Sequence, residues 1–157
     1  MIRKRHHGVG YAHLHRAADN YSKLAYSEIL KNEHKETEAS FWTRARAYFA
    51  SLGITVTEVI SDNGSCCRSH AFRDARQATD IKHRRTLAYP PQTYGKAERF
   101  NRTLATERAY AHTYASDEAR AATYYTWFHH HNHRRPRTGI GGQPPSDRVH
   151  NLTGHHF

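Results

Sequence analysis

Two carboxylates stand where this chain could do chemistry, since such groups carry acid–base work and bind hard cations. Asp62 lies in "EVISDNGSCC", where a short apolar run stops and an Asn-Gly turn begins. Ile54 to Ile60 is β-branched and nearly continuous, as a strand buried on both faces would be. The pattern therefore predicts Asp62 at the carboxyl edge of an interior strand. Glu98 lies in "GKAERFNRTL", with 35 residues between it and Asp62, within a helix predicted from about Lys96 to Ala111. Ala97, Phe100, Leu104 and Ala111 recur there at i, i+3, i+7 and i+14 and turn one stripe inward. Glu98 and Arg102, at i and i+4, share another face. Taken alone, such a Glu-x-x-x-Arg pair is a solvated feature of a helix surface. Only the spacing to Asp62 and the neighbouring residues argue for more.

The elements that must position these groups alternate in type. Tyr11–Asp19 and Leu24–Leu30 read as two strands of a hairpin around the turn-like "DNYS", the first weakened by His13, His15 and Arg16. Phe41, Ala45, Tyr48, Phe49 and Leu52 fall on one face of an amphipathic helix that begins near Glu36 and ends at Gly53. The strand leading to Asp62 follows. A short helix is predicted over Ser69–Thr79, a strand over Lys82–Tyr89, and a loop "PPQTYG" before the helix that holds Glu98. A last helix runs from Ser116 to about His131, opening on the N-cap-like "SDEAR", and the tail after Pro136 is expected to be irregular. Strands alternating with helices predict an α/β layer fold.

At 157 residues the chain fits one domain, and its 10 Tyr, 6 Phe and 2 Trp exclude the disordered class. Lys and Arg outnumber Asp and Glu by 24 to 14, for a formal charge of +10. That balance favours a polyanionic partner, nucleic acid first. A membrane surface is disfavoured, because no stretch approaches 18 apolar residues. "MIRKRHHGVGY" has no apolar signal region, so a cytoplasmic location is expected. Cys66 and Cys67 are adjacent and lack zinc spacing, and they read as buried or spectator thiols. His129 and His133, at i and i+4, could chelate a transition metal, but no third ligand is spaced for it.

The stretches "SDNGS" and "PQTYGKAERFNRTL" around the two acids, their 35-residue spacing and the ending "HHHNHRRPRTGIGGQPPSDRV" together carry a resemblance. The chain resembles the retroviral-integrase-like catalytic core of insertion-sequence transposases, the D,D-35-E class, over roughly Tyr11 to Val149. The resemblance implies an α/β, ribonuclease H-like mixed sheet flanked by helices, with a partial core at 1–150 and a tail at 151–157. It implies DNA transposition, with strand cleavage and transfer on transposon ends and target DNA, by proteins that act as homo-oligomers. It also makes Asp62 and Glu98 the second and third of three catalytic carboxylates, which hold two Mg²⁺ or Mn²⁺ ions about 3.5–4 Å apart. Lys96, Arg99 and Arg102 would flank that site and meet DNA phosphates.

The family's first catalytic Asp belongs to a strand preceding the one read here over Tyr11–Asp19. Met1–Gly10 contains no acid. The resemblance therefore implies a core lacking its first strand, the central one in a sheet of order 3-2-1-4-5. Asp19 instead matches the Ile-Asp-Asp-x-Ser-Arg-Leu-Ala-Tyr pattern closing the family's second strand, and its expected role is side-chain bonding in the turn. Leu87, Ala88, Pro90 and Tyr94 depart from the usual "RPYRPQTNGKAER". The expected function is thus a truncated transposase core, inactive alone. The competing readings are a catalytically dead nucleic-acid-binding remnant and a ribonuclease H-like nuclease, the latter disfavoured by the Asn-Gly after Asp62 and by the ending.

Overall fold

A computed structural model describes residues 13–61, 69–77, 79–85, 99, 102–104, 106–107 and 115–150. Strands β1 (His13–Ala18) and β2 (Ala25–Leu30) pair antiparallel, with His13 opposite Leu30 and Ala18 opposite Ala25. The turn between them is closed by Asp19, whose carboxylate accepts from the Ser22 backbone N–H and from the Ser22 hydroxyl, both at 2.7 Å. The polar residues of β1 do not prevent the strand, because the buried one is satisfied. His15 donates from Nε2 to the Asn32 carbonyl at 3.0 Å, and its Nδ1 lies 2.7 Å from the Glu38 carboxylate.

Helix α1 (Lys35–Ser51) covers one face of this hairpin. Phe41, Ala45 and Phe49, spaced four apart, bury themselves with Leu24 and Val149, against Ala17, Tyr26 and Leu30. Leu52, expected on that stripe, is the C-cap residue and is 37% exposed. Gly53 then takes φ +78°, the left-handed conformation that ends a helix at little cost to glycine. The hydrophobic stripe missed Trp42, which is buried and turns to a second cluster with Phe72 and Ile81.

That second cluster lies under a parallel strand pair, β3 (Glu58–Ser61) and β4 (Lys82–Arg85), connected through α2 (His70–Gln77). Ser69 caps α2, its hydroxyl accepting from the Phe72 backbone N–H at 3.2 Å. The strand expected over Ile54–Ile60 is shorter and differently covered. Residues 54–57 connect α1 to β3, with Ile54 and Val56 packed against the hydrophobic clusters. Within β3, Val59 faces α2 while Glu58 and Ile60 point away, and Ile60 is 46% exposed. One face of this pair is therefore open among the described residues, not buried on both sides. Of the strand expected over Lys82–Tyr89, residues 86–89 lie outside the described residues.

Helix α3 (Asp117–His133) starts at Ser116, whose hydroxyl accepts from the Ala119 backbone N–H at 3.1 Å, and runs two residues past the expected end. The tail is also more ordered than expected. A 3-10 turn over Thr138–Ile140, a bridge between Arg137 and Gln143, and α4 (Pro145–His150) follow, with Ile140 and Val149 buried. Gly141 and Gly142, at φ +78° and +76°, make this reversal possible. The apolar residues of the tail are too sparse for a periodic pattern, so composition alone read it as loop.

The two strand pairs form two separate two-stranded sheets among the described residues, one antiparallel and one parallel. Helix α1 serves both, through its Phe41 and Trp42 sides. On the opposite face of the β1–β2 hairpin, Ala25 packs with Leu104, Trp127 and Phe128, which sets α3 there and gives a helix–sheet–helix layering. Among the described residues no helix is long and apolar enough to cross a membrane.

Candidate nucleic-acid interface

Asp62, Lys96 and Glu98 lie outside the described residues, and so do Cys66 and Cys67. Ser61, before Asp62, and Arg99, after Glu98, are described. Ser61, directly before Asp62, ends β3 and is register-paired with Arg85. Its hydroxyl lies 2.7 Å from Nε2 of His83 on the neighbouring strand. Burial, then the charges of Arg76 and Arg85, hold the His83 imidazole below its usual range, which keeps it neutral beside Ser61. The end of β3 is thus tied to β4 by a side-chain bond as well as by the ladder.

Arg99 directly follows Glu98, and Arg99 and Arg102 are helical and exposed, as a phosphate-contacting pair requires. Their helical segment is anchored just beyond. Leu104 is 5% exposed and packs on Trp127, Phe128 and Ala25. Residues 106–107 form a π turn, and the Glu107 carboxylate there accepts from the Trp127 indole N–H at 2.8 Å and from Arg135 at 2.7 Å. The bond from Arg135 holds the Glu107 carboxyl below the ordinary carboxylate range. Glu107 was invisible to pattern reading. It sits outside the apolar stripe, and its partners are 20 and 28 residues away.

The ending "HHHNHRRPR" turns out to hold α3 to the hairpin. Asn132, 4% exposed, accepts from the Ala25 backbone N–H at 2.9 Å and donates to the Ala25 carbonyl at 2.7 Å. His131 is 1% exposed, against Trp127 and within 3.1 Å of the Arg137 guanidinium. Burial first, and then the Arg137 charge, depress its pKa to about 3. His129 and His133 place their rings 4.7 Å apart on α3, and no group of three or more candidate metal-ligating side chains occurs among the described residues. Asp19 is occupied in its turn, as described above.

The family model of the integrase core domain matches residues 79–145. Among solved structures, a chain from the simian T-cell lymphotropic virus intasome in complex with the PP2A regulatory subunit B56 gamma superposes with a TM-score of 0.66 at 22% identity. That alignment covers 88% of this chain and 48% of the matched one, so the present chain spans about half the length of its structural relative. No curated protein matches the sequence. The architecture is α/β and ribonuclease H-like, with small sheets and flanking helices, and the matches support an integrase- or transposase-like protein.

Proposed function

We propose that the chain is a transposase-type catalytic core, of the insertion-sequence D,D-35-E class, that binds DNA but neither cuts nor joins it by itself. The observation that carries this reading is the integrase-core match over 79–145, which takes in Glu98 and the cations beside it. The anchored helical segment supports it. Leu104 packs on Trp127, Phe128 and Ala25 and Glu107 bonds to Arg135, so that the exposed Arg102 lies beside anchored residues, as phosphate positioning requires.

In this reading Asp62 and Glu98 supply carboxylate oxygens, the hard donors that Mg²⁺ and Mn²⁺ take. Bound ions would activate the attacking hydroxyl and stabilise the leaving oxygen. Lys96, Arg99 and Arg102 hold the phosphodiester backbone, and residues 1–150 form the core with 151–157 as a tail. Two carboxylates provide too little negative charge to hold two ions against their hydration, and Asp19, engaged with Ser22, does not serve as the third. A homo-oligomeric assembly on DNA fits the class.

The test is titration of duplex DNA at several salt concentrations, beside a nicking and strand-transfer assay with Mg²⁺ and Mn²⁺. Binding that weakens linearly in log salt, with no cleavage or joining, is expected. Binding without salt dependence would remove the DNA reading. Cleavage by the parent that disappears in Asp19→Asn would reassign the third carboxylate, and cleavage by both would refute the three-carboxylate account.

A further inference from the structure

Strand β4 reads Lys82-His83-Arg84-Arg85, four residues of basic type in a row. A strand of a parallel sheet ordinarily lies between two covering layers and is rich in Val, Ile and Leu. Here only His83 follows the inward path, half-buried against Phe72 and bonded to Ser61. Lys82, Arg84 and Arg85 are all exposed. Lys82 and Arg84 share the open face of the strand pair with Glu58 and Ile60, spaced about 6.6 Å apart along the strand. Arg85 ends the strand at its carboxyl edge, register-paired with Ser61, which immediately precedes Asp62. Ligands of open α/β sheets gather at that edge.

The anions within reach do not neutralise this row. Arg84 meets Glu58 at 3.0 Å, a pair that is largely solvent-exposed, with Arg84 itself 69% open. Such a contact is weak and screened by salt. Lys82 and Arg85 have no ion pair among the described residues. The fold thus carries two to three cations on an exposed strand paired with the strand that ends at Ser61, on a different element from the helical cations Arg99 and Arg102.

We infer that Lys82 and Arg84 on the open face of β4, with Arg85 exposed at its carboxyl edge, form a second set of DNA phosphate contacts, which leads the duplex backbone along β4 to the edge where Asp62 follows Ser61. This rests on the DNA-binding reading above and extends it to a different element. Glu58 acts against the row, since it competes with phosphate for Arg84.

The salt dependence of binding counts the contacts. Each phosphate neutralised adds about 0.9 to the slope of log affinity against log salt. In the full chain, Lys82→Gln with Arg85→Gln is expected to flatten the slope by about 1.8, so that the parent loses about 12-fold more affinity than the variant between 50 and 200 mM salt. Glu58→Gln is expected to do the opposite, tightening binding at low salt and steepening the slope by up to about 0.9 as Arg84 is released. Lys31→Gln with Lys35→Gln, exposed cations next to and in α1, serves as the control and should leave the slope unchanged. A slope in the β4 double variant equal to the parent's would overturn the inference alone, as would an equal flattening by the control pair. A parent that shows no salt-dependent binding would overturn the DNA reading with it.

Discussion

Replacing Asn132 by Ala should destabilise the protein out of proportion to the size of the change. The Asn132 amide does for β2 what another strand would do, accepting from the Ala25 N–H and donating to the Ala25 carbonyl at 2.9 and 2.7 Å. Ala25 lies opposite Ala18 at the end of the hairpin, and its outward-pointing backbone groups have no ladder partner. With Ala25 at 2% and Asn132 at 4% exposure, water does not easily replace the amide. Each backbone group left buried and unpaired costs about 1–3 kcal/mol, so the expected loss for the two is about 2–6 kcal/mol. That is a large part of the 5–15 kcal/mol typical of a folded domain. Urea unfolding followed by far-UV circular dichroism measures it, as a lower midpoint with unchanged slope. A loss under about 0.5 kcal/mol would show that Ala25 is hydrated or re-paired and that α3 is not held to the hairpin in this way.

Three further outcomes follow from the ionisable groups. Tyr26 donates to Glu28, which Arg44 grips at 2.7 and 2.6 Å, and burial followed by the Glu28 bond pushes the Tyr26 pKa up to about 12. The folded state therefore holds the phenol proton longer than the unfolded chain, and stability should be full below pH 10 and fall between pH 10 and 12. Absorbance titration of tyrosinate, parent against Tyr26→Phe, should show one phenol ionising near 12. His131 is depressed to about 3, so the unfolded chain binds the extra proton first. Its contribution to stability should be complete above pH 6.5 and decline as the pH falls toward 3, and thermal unfolding of His131→Phe should lack that part of the acid sensitivity. Glu107→Gln keeps an acceptor for Trp127 but loses the charge facing Arg135. Because both side chains are partly solvated, the cost should be within about 0–1 kcal/mol, and the Glu107 contribution, present above the ordinary carboxylate range, should vanish as acid protonates it.

Elements with strong local signals were legible in the sequence. The Phe41, Ala45, Phe49 stripe predicted α1, Ser116 marked the start of α3, and Asp19 was recognisable as a turn residue before its bonds to Ser22 were seen. What local reading missed depends on partners far along the chain. Trp42 falls beside the stripe and needed Phe72 and Ile81 to draw it inward. Asn132 has no local signal of its own, and its partner, Ala25, is 107 residues away. The apolar run at Ile54–Ile60 suggested burial on both faces, yet alternation won at Glu58–Ser61, where one face lies open. Of the site itself, Arg99 and Arg102 are exposed helical residues, while Asp62 and Glu98 lie outside the described residues and rest on spacing and resemblance.

The central claim is that Asp62 and Glu98 converge on one divalent ion. A crystal of the full chain grown with Mn²⁺, with anomalous scattering collected at the manganese edge, tests it most directly. The account predicts a manganese peak between the two carboxylates, each within direct coordination distance of the ion. Carboxylates more than about 10 Å apart would contradict it, because a two-metal site spans only about 4 Å.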